Sequence, residues 1–146
     1  MAERKATAEW NGSLMEGEGS VALGSGVFSG AFSFATRMGD EPGTNPEELL
    51  GASLAGCYAM ALNATLEKQG TPAKNVNVEA KVFLGKDEGG FKINRIDLET
   101  TAAVDGIDQD KFAAVAEEVK HACPISKALA ATDITLKATL VKASAA

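Results

Sequence analysis

The stretch from Leu49 to Leu62, LLGASLAGCYAMAL, carries no charged side chain and constrains the fold of this chain more than any other segment. A segment of this length forms about four turns of α-helix. Because apolar residues would lie on nearly every side of that helix, we expect it to be buried on most sides. The remaining elements must then pack around it.

The residues that flank this stretch mark the ends of the helix. Asn45 suits the N-cap, Pro46 suits the first helical position, and Glu47 and Glu48 suit the positive end of the helix dipole. Gly70 suits the stop at the other end. We therefore expect a helix from Pro46 to about residue 69.

Alternating apolar residues predict strands on both sides of this helix. Three strands are expected before it and three after it, at 5–10, 21–23, 27–35, 76–84, 91–104 and 134–141. The apolar residues change parity between Ile93 and Ile96, which predicts a β-bulge near Asn94 or Arg95.

A second helix should begin after Asp108, which suits an N-cap, and Pro124 must interrupt or restart it. The element order is then strands, helix, two strands, helix, strand. This order predicts an α+β fold with a mainly antiparallel sheet around the long central helix.

Length and composition limit the class of protein. A chain of 146 residues fits a single domain, 1–146, and 45% hydrophobic with 23% charged residues is typical of a globular protein. A net charge of −6 argues against a nucleic-acid surface. The first residues lack the apolar core of a signal peptide, and the central apolar stretch is shorter than the roughly 20 residues of a membrane span. We therefore expect a cytoplasmic protein without a membrane or nucleic-acid partner.

The chain has two cysteines, Cys57 inside the central helix and Cys123 directly before Pro124. A proline disfavours helix at the residue before it, so Cys123 should lie at a break in the second helix. In a reducing compartment a lasting structural disulfide is unexpected, which favours a redox-active pair. The alternative is that each cysteine is a small buried hydrophobic residue, and the residues alone leave both interpretations open.

An active Cys57 needs a source of thiolate stabilisation. Cys57 lies roughly 16 Å from the helix start, beyond the reach of the helix dipole, and burial alone raises a thiol pKa. A cation from elsewhere is required, and Arg37 and His121 are the candidates. Arg37 ends an apolar strand, and His121 is either a base for Cys123 or, more often in such positions, a solvated helix residue.

The sequence gives little support for a metal site, a nucleotide-binding site or a serine nucleophile. Two cysteines and one histidine without close spacing make a poor zinc site. There is no phosphate-binding loop, dinucleotide-binding glycine fingerprint or serine elbow. We therefore expect neither a metal nor a cofactor.

Two segments resemble a known family. Residues 43–62, GTNPEELLGASLAGCYAMAL, look like the central-helix signature of the OsmC/Ohr superfamily, which comprises osmotically inducible protein C and the organic hydroperoxide resistance peroxidases. Residues 122–129, ACPISKAL, look like the second cysteine motif of that family. In the organic hydroperoxide branch the arginine lies early in the chain, in a glycine-rich segment. Residues 11–20 of this chain contain no arginine, so the resemblance favours the osmotically inducible branch.

The resemblance implies an intertwined homodimeric thiol peroxidase. Cys57 would be the peroxidatic cysteine and Cys123 the resolving one, while Arg37 would stabilise the thiolate and Glu47 would hold the arginine. The partners implied are an organic hydroperoxide, with hydrogen peroxide reduced less efficiently, and an external dithiol that restores both thiols. A non-enzymatic dimer with an apolar ligand pocket and a thiol redox sensor are the alternatives.

The spacing of Glu47 and Cys57 bears on assembly. The two residues are separated by about 15 Å of helix axis, too far for one arginine to touch both. If two central helices packed antiparallel and crossed near Ala52, Glu47 of one chain would lie level with Cys57 of the other. Gly51, Ala52 and Gly56 are small enough for such a crossing, or they could accommodate a strand of their own chain. We therefore expect an active site shared between subunits.

Overall fold

The structure is a computed structural model that describes residues 1–143. Two compact units make up the chain, Met1–Leu49 and Leu50–Ala146. The prediction that residues 1–146 form one domain stays a prediction.

The first unit is built on a three-stranded antiparallel sheet. Its strands β1 (Ala6–Asn11), β2 (Glu18–Leu23) and β3 (Ser29–Ser33) lie in sequence order, each paired with the next. A turn follows β1, and Gly12 has a φ of 93°, a conformation that glycine adopts without the strain of a Cβ. The three strands expected before the central helix are therefore confirmed.

A short helix, α1 (Phe34–Met38), follows β3 where the sequence predicts a continuing strand. Ser33 caps it in a capping box with Thr36, in which each side chain accepts a hydrogen bond from the other residue's backbone N–H, at 3.1 Å and 2.8 Å. The expectation that Arg37 ends a strand is therefore wrong, since Arg37 lies in the last turn of this helix.

The long helix α2 (Pro46–Lys68) begins in the first unit and continues into the second. Asn45 caps it as predicted, since the Asn45 Oδ1 accepts a hydrogen bond from the Glu48 N–H at 2.8 Å. The helix ends close to Gly70, whose φ is 81°. Both predicted helix ends are confirmed.

The second unit contains a second three-stranded sheet. The long strands β4 (Ala73–Asp87) and β5 (Gly90–Val104) form an antiparallel hairpin, and β6 (Asp133–Val141) pairs with β5 in parallel. Phe83 pairs with Arg95 and Leu84 with Ile93, which leaves Asn94 as the extra residue of a β-bulge. The predicted bulge is confirmed, and three of the four strand pairings are antiparallel.

The helices α3 (Gln109–Ala122) and α4 (Pro124–Ala128) connect β5 to β6. Asp108 caps α3 as predicted, with its Oδ1 accepting a hydrogen bond from the Lys111 N–H at 2.9 Å. Cys123 separates the two helices in a non-helical conformation close to polyproline II, with φ −56° and ψ 130°, because the proline that follows disfavours the helical region there.

One stripe of α2 lies in the hydrophobic core of the second unit. Leu54, Tyr58, Leu62 and Leu66 recur at four-residue intervals and have no exposed surface. They share the core with alternate residues of β5 and with the inner face of α3: Ile96, Leu98, Ala102, Phe112, Ala116 and Val119. The Tyr58 hydroxyl donates a hydrogen bond to the Ala116 carbonyl at 2.9 Å, so its polar atom is satisfied within this core.

The opposite side of α2 is not buried in the single chain. Ala52, Ser53, Gly56 and Ala64 are exposed, and Met60 is 77% exposed. The expectation that this helix is buried on most sides is therefore wrong for one chain, because its own chain covers a single stripe. By length and composition the helix could cross a membrane, with a mean hydropathy of 1.4 in its most apolar window. That is weak evidence, since the core helix of a soluble protein has the same properties.

Candidate active site

Arg37 and Glu47 form a charge-assisted pair within the first unit. The Arg37 Nη2 lies 2.6 Å from the Glu47 Oε1, and the Arg37 Nε donates to both carboxylate oxygens at 3.1 Å. Hydrogen bonding to Glu47 raises the pKa of Arg37 against the opposing effect of burial. The guanidinium is therefore held as a cation in a fixed orientation.

The loop between α1 and α2 brings these two residues together. The Thr36 hydroxyl donates a hydrogen bond to the Thr44 carbonyl at 2.9 Å, and the Thr44 N–H donates to the Ala31 carbonyl at 2.9 Å. These bonds fasten both ends of the loop, so Arg37 at the end of one helix meets Glu47 in the first turn of the next. The Glu47 side chain is only 11% exposed, whereas the Arg37 side chain is 36% exposed.

Cys57 lies on α2 beside the buried stripe and is half-buried. It packs against the core cluster that contains Cys123, and both cysteines are free thiols. Burial raises the pKa of Cys57, and the neighbouring Cys123 raises that pKa further. No cation among residues 50–143 counteracts these effects on the pKa, so the second unit by itself leaves Cys57 mainly as a thiol.

Cys123 is fully buried at the junction of α3 and α4. Its N–H donates to the Val119 carbonyl and its carbonyl accepts from the Lys127 N–H, both at 3.0 Å, so the backbone at the junction is satisfied. Burial raises the pKa of Cys123, but the Cys57 thiol, Ser126 and Ile125 together hold that pKa below its usual value. The two thiols thus lie close enough to shift each other's pKa, in opposite directions.

The four predicted site residues are therefore brought together as two pairs, Arg37 with Glu47 and Cys57 with Cys123. His121 joins neither pair. Its side chain is 74% exposed, and its Nε2 lies 3.5 Å from the Glu117 Oε1 one turn earlier on α3. Within residues 1–143, no group of three or more histidine, cysteine, aspartate or glutamate side chains is placed to hold a metal ion.

The small residues of α2 face in different directions. A Cβ on Gly51 would meet the Val82 side chain at 3.3 Å, so Gly51 allows β4 of its own chain to approach closely. A Cβ on Gly56 would meet no atom within 4 Å, and Ala52 and Ser53 are exposed. Gly51 thus accommodates a strand, whereas Ala52, Ser53 and Gly56 leave one side of the helix open.

Sequence reasoning missed Ser126, which is 6% exposed and three residues after Cys123. Its hydroxyl is buried without a hydrogen-bond partner among the described residues, although it lies close enough to Cys123 to affect the pKa of that thiol. The available signal was the spacing Cys-Pro-Ile-Ser. This spacing places a serine at the third position of a helix whose N-cap is the cysteine.

The fold and the site define a class of protein, an α+β protein with a thiol pair between its long helix and a proline-broken helix. The model of the OsmC-like protein family matches residues 39–138, and the chain belongs to this family. The chain is 40% identical to peroxiredoxin OsmC of Escherichia coli K12 over 134 residues, covering 91% of this chain and 93% of that protein.

Two further relatives belong to the organic hydroperoxide branch. The chain is 34% identical to the organic hydroperoxide resistance protein of Xanthomonas axonopodis pv. citri over 97 residues, covering 64% of this chain and 66% of that protein. The crystal structure of the organic hydroperoxide resistance protein OhrB of Bacillus subtilis superposes with a TM-score of 0.73 at 27% identity, covering 92% of this chain and 98% of the other. These likenesses confirm the predicted family and the α+β fold.

Proposed function

We propose that this chain is a cysteine peroxidase that reduces organic hydroperoxides, and hydrogen peroxide less efficiently, with electrons from an external dithiol. The observation that carries the proposal is the pair of free thiols, Cys57 and Cys123, which lie close enough to shift each other's pKa. The names of the relatives, a peroxiredoxin and organic hydroperoxide resistance proteins, support the same chemistry.

The proposed reaction begins with the Cys57 thiolate. It attacks one oxygen of the hydroperoxide, the O–O bond breaks, an alcohol leaves, and Cys57 becomes a sulfenic acid. The Cys123 sulfur then attacks the Cys57 sulfur, water leaves, and a Cys57–Cys123 disulfide forms. Two electrons from the dithiol restore both thiols. The apolar surroundings of Cys57 on α2 favour an organic hydroperoxide over hydrogen peroxide.

Arg37 is proposed as the cation that stabilises the Cys57 thiolate, with Glu47 fixing its guanidinium. The three hydrogen bonds between Arg37 and Glu47 support the second role, because they hold the planar cation in one orientation. The role of Arg37 is supported by the pKa of Cys57, which is raised in the single chain, so that a thiolate there needs a stabilising cation. A cation brought near Cys57 would lower its pKa and supply thiolate at neutral pH.

We further propose an intertwined homodimer in which Arg37 and Glu47 of one chain face Cys57 of the other. Glu47 and Cys57 are about 15 Å apart along the axis of α2, so antiparallel packing of two such helices would bring them level. The open side of α2 supports this packing, since Ala52, Ser53 and Gly56 permit a close approach of a second helix.

The exposed surface of the first unit also supports a homodimer. Within residues 1–49, all of which the structure describes, no hydrophobic side chain is buried. The exposed large hydrophobic residues of this unit are Met1, Trp10, Leu14, Met15, Leu23, Val27, Phe28 and Met38. A three-stranded sheet needs a packed hydrophobic face to be stable, and a second copy of the chain would provide it.

The proposed setting is the cytoplasm, where thiols are kept reduced. A lasting disulfide between Cys57 and Cys123 would be opened there, which suits a pair that cycles during turnover. No nucleic-acid or membrane partner is proposed.

The test is the consumption of hydroperoxide in the presence of dithiothreitol, with cumene hydroperoxide, tert-butyl hydroperoxide and hydrogen peroxide as substrates. We expect the wild-type protein to turn over the two organic hydroperoxides faster, and Cys57→Ser to be inactive. Cys123→Ser should react once and then stop or overoxidise. Mass spectrometry of the oxidised wild-type protein should reveal a 57–123 linkage.

Other results would support the alternatives. Oxidation of Cys57 to a sulfinic acid with Cys123 untouched would remove Cys123 from the resolving role. A disulfide that forms without catalytic turnover would indicate a redox sensor. No reaction of either thiol with any hydroperoxide would contradict the enzyme and favour a dimer that binds an apolar ligand.

A further inference from the structure

The hydroxyl of Ser126 is one of two buried hydroxyls without a hydrogen-bond partner among the described residues, and the reaction described above uses neither. Ser126 is 6% exposed, and its Oγ has no hydrogen-bond partner among the residues that the structure describes. Burying a hydroxyl without a hydrogen-bond partner is unfavourable, because its hydrogen bonds to water are lost and not replaced. The Cys123 sulfur is an available acceptor for this hydroxyl, and it accepts a hydrogen bond most strongly as a thiolate.

The local backbone directs Ser126 towards Cys123. Cys123 is the N-cap residue of α4, Pro124 occupies the first helical position and Ser126 the third. A side chain at the third position reaches back towards the N-cap residue, as in a capping box. The Lys127 N–H bonds to the Cys123 carbonyl at 3.0 Å, which closes this first turn. The Ser126 hydroxyl is one of the groups that hold the pKa of Cys123 below its usual value.

The exposure of the two cysteines sets a direction for thiol exchange. Cys57 is half-buried, whereas Cys123 has no exposed surface. In a disulfide between them, we therefore expect an external thiolate to attack the Cys57 sulfur, so that the Cys123 sulfur becomes the leaving group. Thiol exchange is faster when the leaving thiolate is stabilised.

We propose that Ser126 is a positioning residue that donates a hydrogen bond to the Cys123 sulfur as it leaves during reduction of the disulfide. This inference rests on the proposed function, because it requires the Cys57–Cys123 disulfide. The first thiolate of the dithiol attacks the Cys57 sulfur, and the S–S bond breaks with its electron pair on Cys123. The second thiolate then attacks the first dithiol sulfur and releases Cys57. The dithiol leaves as a cyclic disulfide, and its two protons end on the two cysteines.

The experiment separates reduction from peroxide chemistry. The disulfide is formed with diamide in the wild-type protein, in Ser126→Ala and in Thr100→Val, and its reduction by dithiothreitol is followed by alkylation and mass spectrometry. Thr100→Val is the matched control, because Thr100 Oγ1 is the other buried hydroxyl without a partner in residues 1–143. We expect Ser126→Ala to be reduced about tenfold more slowly or worse, and Thr100→Val to match the wild type.

A second measurement uses only the wild-type protein. The oxidised protein is treated with 2-mercaptoethanol, quenched with acid and digested, and the mixed disulfide is mapped. We expect it on Cys57. A mixed disulfide on Cys123, a wild-type rate of reduction in Ser126→Ala, or no 57–123 linkage after diamide would each overturn the inference. If diamide forms the linkage but hydroperoxides do not, the peroxidase proposal fails while the leaving-group result still stands.

Discussion

The two units of this chain differ in how they are stabilised. Residues 50–143 contain a core in which Leu54, Tyr58, Leu62 and Leu66 of α2 have no exposed surface. Residues 1–49 form regular strands and a fixed Arg37–Glu47 pair, yet they bury only the polar residues Thr44 and Glu47. Hydrogen bonding alone contributes little net stability, so the second unit has its own source of folding free energy and the first does not.

The contrast between the two units indicates where the site residues can act. The cysteines lie in the unit with its own core, which can hold two thiols in a fixed relation. The cation and its carboxylate lie in the unit whose apolar residues are uncovered. If a second copy covers that unit, the same association would stabilise the sheet and complete the site. Assembly and activity should then be lost together.

The largest effect is expected from a charge on the open side of α2. Ala52→Arg would place a cation at the proposed crossing of the two helices, where an unpaired buried charge costs several kcal/mol. We expect the dimer to dissociate in sedimentation velocity and peroxidase activity to disappear. Ala114→Arg is the matched control, since Ala114 is also an exposed alanine on a helix. A dimeric, active Ala52→Arg protein would remove this helix face from the interface.

A matched pair of leucine truncations compares the two units directly. Leu62→Ala removes a fully buried side chain from the second unit and should lower the free energy of unfolding by about 2–5 kcal/mol. Leu23→Ala removes a side chain that is 41% exposed in the single chain. We expect the latter to weaken dimer affinity in sedimentation while the secondary structure measured by circular dichroism is retained. An unchanged dimer affinity for Leu23→Ala would mean that no partner covers this part of the first unit.

The third effect concerns the pH dependence of peroxide attack. Burial raises the pKa of Cys57, and Arg37 of the partner is proposed to lower it again. In Arg37→Ala the thiolate fraction at neutral pH should fall, so that peroxide attack slows by about 10- to 100-fold and its pH profile moves to higher pH. Stopped-flow kinetics across a pH series would measure both quantities. A pH profile identical to that of the wild type would exclude Arg37 from thiolate stabilisation.

The smallest effect is expected at the helix that joins the two units. Asn45 Oδ1 accepts the Glu48 N–H at 2.8 Å, and Asn45→Ala removes this cap. The loss should be about 1 kcal/mol of unfolding free energy, measured by urea denaturation. Asn45→Asp keeps a capping oxygen and should retain most of the stability. A loss of several kcal/mol in Asn45→Ala would show that this cap also supports the Arg37–Glu47 pair.

The features that the sequence predicted correctly depend on local chemistry. The caps at Asn45 and Asp108, the stop at Gly70 and the break before Pro124 each follow from neighbouring residues. The bulge at Asn94 follows from a change of apolar parity within one strand. Such signals need no knowledge of the rest of the fold.

The features that the sequence did not predict depend on context or on weak local signals. Helix α1 has only five residues, and its capping box pairs Ser33 with a threonine instead of the usual glutamate or glutamine. The parallel pairing of β6 leaves no trace in an alternating pattern, which is the same for either strand direction. The apolar residues on the open side of α2 predict burial, but burial depends on what surrounds them.

The candidate site was predictable to a similar extent. The two cysteines, Arg37 and Glu47 are predicted from their motifs, and the structure pairs Arg37 with Glu47 and Cys57 with Cys123, while their roles stay a prediction. Ser126 was missed because serine is common near helix starts. Ser126 differs from such serines because its hydroxyl is buried without a hydrogen-bond partner among the described residues.

Subunit mixing tests the central claim, that Arg37 of one chain acts on Cys57 of the other. Cys57→Ser and Arg37→Ala are each prepared as inactive or slow homodimers, mixed in equal amounts, unfolded and refolded together. If the site is shared, each mixed dimer contains one complete site and one site lacking both residues. Half of the dimers are mixed, so about a quarter of wild-type activity should return. If each chain uses its own Arg37, no mixed dimer contains a complete site, and activity no higher than the average of the two parents would contradict the account.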